Sequence, residues 1–137
     1  MPSTFKLEIV TPDREVVNER AAQVQIPGKS GYLGVLPGHA PLITELGVGE
    51  ISYTHGPRTE YLAVAWGFAE VLPDRVTILA ETAERPEEID VSRAEESKKR
   101  AEERLRAGGA DLDWSRCQAA LQRSLVRLEV AQRRGAD

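Results

Sequence analysis

Residues Gly31 to Leu42 constrain this chain more than any other stretch. They hold three glycines, two prolines, one of the two histidines and four large apolar side chains. A helix does not survive that density of glycine and proline, and a long central strand does not tolerate it. What fits is a short strand from Tyr32 to Leu36, a turn at Pro37-Gly38 and a bend through Pro41 into another strand. A backbone held so tightly presents a shape to something else.

Around that stretch, period-two alternation marks a half-buried strand at Phe5–Ile9. Short segments between turn signals read as further strands at Glu15–Asn18, Gln23–Ile26, Leu42–Leu46, Ile51–Tyr53, the strongly apolar Tyr61–Trp66, Phe68–Leu72 and Val76–Leu79. Turn signals separate them at Pro12-Asp13, Pro27-Gly28, His55-Gly56-Pro57 and Pro73-Asp74. The expectation is an all-β sandwich or flattened barrel of about ten strands.

Near Glu84 to Pro86 the character changes. Residues 1–86 carry 7 Lys+Arg, 11 Asp+Glu and all eight prolines; residues 87–137 carry 11 of each charge and no proline. Two domains are therefore expected, 1–86 and 87–137, the second an antiparallel α-helical hairpin. Asp90 caps a first helix bearing Val91, Ala94, Ala101 and Leu105 on one face, and Gly108-Gly109 stops it. Asp111 or Asp113 caps a second helix with a stripe of Trp114, Cys117, Leu121, Leu125 and Leu128. So small a hairpin buries little by itself, which predicts marginal docking and freedom to move.

The 137 residues carry a net charge of −4, which argues against generic nucleic-acid binding. No apolar run reaches membrane-spanning length, and the first ten residues lack a signal-peptide core. One cysteine, Cys117, excludes an internal disulfide and a multi-cysteine zinc site. A soluble, cytosolic protein is the expectation. There is no P-loop, GxGxxG or GxSxG pattern. His39 has no evident partner as a general base, His55 sits in a hairpin turn, and Cys117 falls on an apolar helix face. Nothing in the chain requires an enzyme or a metal.

The arginines of the hairpin are more informative. In an antiparallel pair whose facing positions sum to about 220, Arg93 lies opposite Arg127, with Arg123 and Arg100 on successive turns. Arg93 has Asp90 and Glu96 within helical reach, and Arg100 has Glu96 and Glu103. Arg123 and Arg127 have no acid three or four positions away and repel each other. A phosphate-like anion would relieve that repulsion. A solvated basic face paired with acids elsewhere is the plainer reading, and spacing alone favours it.

Gly31–Leu42, together with Gly67–Ala80, resembles the signature of the epsilon subunit of the bacterial F-type ATP synthase. The likeness spans nearly the whole chain in the right order. It implies a non-catalytic rotor subunit on the cytoplasmic side of the bacterial inner membrane, peripheral and not inserted. Its sandwich would bind the gamma subunit and rest on the c-ring, with Gly31, Tyr32, Leu33 and His39 at that interface. Its hairpin would be a switch, folded against the sandwich or extended into the catalytic alpha/beta head, where it blocks ATP hydrolysis through Arg116, Arg123, Arg127, Arg133 and Arg134. Some members bind ATP in the folded hairpin through I/L-D-x-x-R-A, which Ile89-Asp90-Val91-Ser92-Arg93-Ala94 matches. Glu84, Arg100, Arg123 and Arg127 map onto the same site. ATP would be a regulatory ligand, with no cofactor required. The competing expectations are a free-standing ATP-binding sensor outside the synthase and, less suited to the missing motifs, a small ATP hydrolase.

Overall fold

The computed structural model describes residues 3–135. Seven strands come first: β1 (Phe5–Val10), β2 (Glu15–Ala21), β3 (Gln23–Gly28), β4 (Gly31–Val35), β5 (Leu42–His55), β6 (Arg58–Val71) and β7 (Arg75–Glu84). A 3-10 turn at Pro86–Glu88 leads to α1 (Val91–Ala107) and α2 (Trp114–Ala131). The strands form one hydrogen-bonded sheet, ordered β2-β1-β7-β6-β5-β3-β4, and only the β1–β7 pairing is parallel.

The sheet becomes a sandwich because its long strands bend. In β5 and β6, Leu42–Leu46 pairs with Gly67–Val71, the ladder breaks, and Val48–His55 pairs with Arg58–Ala65. The break coincides with positive φ at Trp66 (54°) and Gly67 (121°). A Cβ on Gly67 would lie 1.9 Å from the Leu79 carbonyl oxygen, so only glycine fits there. The two halves close over a single core. Phe5, Leu7 and Ile9 of β1 fill it at alternate positions, together with Val24, Ile26, Ile51, Leu62, Val76 and Ile78. Seven strands, not about ten, is the outcome. Gly47, Gly49 and Gly67 bend strands whose pairing resumes on either side, where local patterning reads separate short strands.

Tyr53 is the largest fully buried side chain, and its hydroxyl donates to Glu19 Oε2 at 2.7 Å. Burial, reinforced by that hydrogen bond, holds its phenol above the ordinary value of 10.0. The unfolded chain thus loses this proton first as pH rises, and stability falls from about pH 10 upward. One differential proton contributes about 1.4 kcal/mol per pH unit. Urea unfolding between pH 9 and 11 is expected to show a shallower decline in Tyr53→Phe than in the wild type. Equal declines would refute the linkage.

The helices begin where their caps lie. Asp90 accepts the backbone N–H of Arg93 and Asp113 that of Arg116, each at 3.1 Å, so Asp113 rather than Asp111 starts α2. Gly108 and Gly109, both at positive φ, end α1 and turn the chain. The expected apolar stripe is only partly a packing face: Trp114 is 52% exposed and Leu125 45%, while Cys117 is buried. Docking on the sandwich instead uses Val126, Val130 and Ala131, which pack with Tyr61, Ala63, Ile89 and Val91. The face follows the small outer side chains of β6, which a helix-only pattern does not contain.

Candidate functional site

A cavity of about 1060 Å³ separates the hairpin from the sandwich. Its walls come from β7, the β1–β2 turn and both helices. Seven arginines line it against five carboxylates, a concave surface that concentrates anions.

Five of the eight residues implicated in nucleotide binding meet here: Glu84, Arg93, Arg100, Arg123 and Arg127. The other three do not line the cavity. Ile89 is buried under the end of α2, Asp90 caps α1, and Ala94 is fully buried. They lie where α1 starts, within four residues of Arg93.

Arg127 is held by a two-pronged pair to Glu84, Nε to Oε1 at 2.7 Å and Nη2 to Oε2 at 3.2 Å. This is the distant acid that helical spacing cannot reveal. Arg123 finds an aromatic partner instead, its guanidinium 5.1 Å from the centre of the Trp66 ring. Among the described residues, Arg93, Arg100 and Arg123 make no ion pair; Arg100 reaches only Ser97 Oγ at 3.4 Å. The helical partners open to Arg93 and Arg100 stay apart because Asp90 is engaged by backbone N–H and the rest are solvated. Arg104, which spacing did not single out, and Arg116, assigned to the inhibitory set, line the same cavity.

The other inhibitory candidates clasp the folded hairpin. Arg133 forks onto Glu50 at 3.2 and 3.3 Å and lies 4.6 Å above the Tyr61 ring. Arg134 donates to the carbonyl oxygens of Pro86, at 2.9 Å, and Ile89. With Val130 fully buried, the last turn of α2 is tied to both the sandwich and the inter-domain link.

The rotor-facing candidates occupy β4 and the turn after it. Gly31 takes φ 138° at the β3–β4 tip. Tyr32 is 61% exposed, and its hydroxyl accepts the Glu50 N–H at 3.0 Å. Leu33 packs on the core, and His39 Nδ1 lies 2.7 Å from the Ala40 carbonyl oxygen. Missed by the sequence reading is an exposed apolar strip on the opposite half of the sheet. Phe68 pairs across to Leu79, and Ile43 shares their face two residues from Glu45, the partner of Phe68. The polar Glu70, two residues on, sets the outward phase that would have revealed Phe68.

Residues 4–86 match the family model described as "ATP synthase, Delta/Epsilon chain, beta-sandwich domain", and residues 87–132 match "ATP synthase, Delta/Epsilon chain, long alpha-helix domain". The "ATP synthase epsilon chain" of Koribacter versatilis is 71% identical over 111 residues, covering 81% of this chain and 78% of that one. The "ATP synthase epsilon chain 2" of Syntrophotalea carbinolica is 50% identical over 136 residues, covering 98% and 99%. Among solved structures, a chain of the Euglena gracilis mitochondrial ATP synthase superposes with a TM-score of 0.82 at 24% identity. The match covers 96% of this chain and 83% of that one, and shows a shared fold.

Proposed function

The chain belongs to the delta/epsilon family of ATP synthase, as an epsilon chain and non-catalytic subunit of the central stalk, and from that premise we propose that it links the gamma subunit to the c-ring and carries an ATP-responsive inhibitor of hydrolysis in its hairpin. No helix among the described residues is long and apolar enough to cross a membrane. In this proposal the subunit is peripheral, held by its partners on the cytoplasmic face of the bacterial inner membrane. The β4 turn and the Phe68–Leu79 strip offer two separate faces to them.

One observation carries the switch reading: arginines from both helices converge on a single cavity. A triphosphate there bridges Arg93 and Arg100 of α1 to Arg123 and Arg127 of α2. The extended hairpin separates these residues and loses the site. ATP thus favours the folded form by its difference in affinity for the two. When ATP is scarce, α2 is freed to carry its arginines to acidic surfaces of the catalytic head.

Calorimetric titration of ATP into the isolated protein tests this. One-to-one binding is expected, weakened roughly tenfold or more in Arg93→Ala. Arg127→Ala is expected to weaken it further, because it also leaves the Glu84 carboxylate facing the phosphates. Absence of heat at millimolar ATP in the wild type would overturn the nucleotide reading.

A further inference from the structure

Trp66 is the one non-glycine residue at positive φ among the described residues, at 54°. That conformation is costly for a side chain with a Cβ. Glycine would make the same bend without strain, so what the position adds is the ring. The ring carries the Arg123 guanidinium, 5.1 Å from its centre. Arg123 also lines the anion-collecting cavity and has no carboxylate partner among the described residues.

We propose that Trp66 is a positioning residue for the nucleotide site, holding Arg123 by its flat face so that its N–H edge is turned to a phosphate. The proposal rests on the nucleotide reading above and deepens it. A guanidinium stacks through its face and donates hydrogen bonds through its edge, so stacking and phosphate binding coexist. A stacked arginine has already lost much of its rotamer freedom, and less remains to be lost when the ligand arrives. Arg127, one turn away, gets the same restraint from Glu84. The two arginines that repel each other on α2 are thus each held from the sandwich side, one by an acid and one by an aromatic ring. Closing the hairpin onto the sandwich is what sets both.

The test is ATP titration of the full-length protein carrying Trp66→Phe, Trp66→Leu or Trp66→Gly, with thermal unfolding of each. Phe keeps a ring and is expected to bind within about 2-fold of the wild type. Leu keeps the bulk and the strain but not the ring, and is expected to bind about 3- to 10-fold more weakly. Gly is expected to lose affinity as Leu does while melting no lower than the wild type, because it relieves the strained φ. A purely structural role predicts the same relief of strain for Gly but unchanged binding. Leu or Gly binding as the wild type does, or Phe falling with them, would overturn the positioning role and leave the nucleotide site standing. Absence of binding in the wild type itself would overturn both.

Discussion

Gly67→Ala is expected to destabilise the sandwich by about 3 kcal/mol or more. Alanine is disfavoured at φ 121°, and its methyl would sit 1.9 Å from the Leu79 carbonyl oxygen. That oxygen belongs to β7, so the clash is with backbone and no side chain can turn aside. The β6–β7 ladder must part where the sheet folds over its core. Urea unfolding should show a large drop in midpoint with an unchanged slope. Gly34→Ala is the control. The nearest atom to its added methyl is Gln25 Nε2 at 3.8 Å, and its expected change is under about 1 kcal/mol. A Gly67→Ala protein as stable as the Gly34→Ala protein would show that β6 does not bend as described.

The second large effect is expected at the other end of the molecule. Val130 is fully buried between α2 and the sandwich. Val130→Asp places a carboxylate there with the apolar Ala63 and Ile89 as neighbours, at a cost of about 3 kcal/mol. That shifts the folded hairpin toward the open form on the order of a hundredfold. Amide exchange should accelerate through α2 and stay slow in β1, β6 and β7. If the hairpin is the switch proposed above, the hydrolysis rate of the assembled synthase is expected to fall, because on that proposal the open form inhibits. Removal of residues 87–137 is expected to raise it, because no inhibitor remains. Opposite signs are the signature of a switch. The same sign in both variants would exclude it.

The sandwich and the helical pair were legible because their signals are local. Alternation marks a half-buried strand, and Asp90, Gly108 and Gly109 mark where a helix starts and stops. Strand number was not, since bending or breaking at Gly47 and Gly67 depends on pairing partners far along the chain. The arginines of α2 divide in the same way. Their lack of helical partners was visible in the sequence. That Glu84 takes Arg127 and Trp66 takes Arg123 is a fact of docking. The family resemblance gives Arg133 and Arg134 a role only in the extended state, yet in the folded state they grip Glu50, Tyr61 and the Pro86–Ile89 link. Trp114 was misleading for a related reason: a large aromatic at helical spacing suggests a buried anchor, but the sandwich offers its contact surface further along α2.

The clasp grips the last turn of α2 and the link before α1, so the hairpin has its hinge and its lock on the same edge. The Gly108-Gly109 tip lies a full helix away, about 26 Å for the 17 residues of α1. A push at the tip therefore acts on the lock through a long lever, and a small force there becomes a larger one at Val130 and Arg133. A pull on the chain's tail has no such arm and must break the whole clasp at once. Contact at the tip is mechanically the cheap way to unlatch this hairpin.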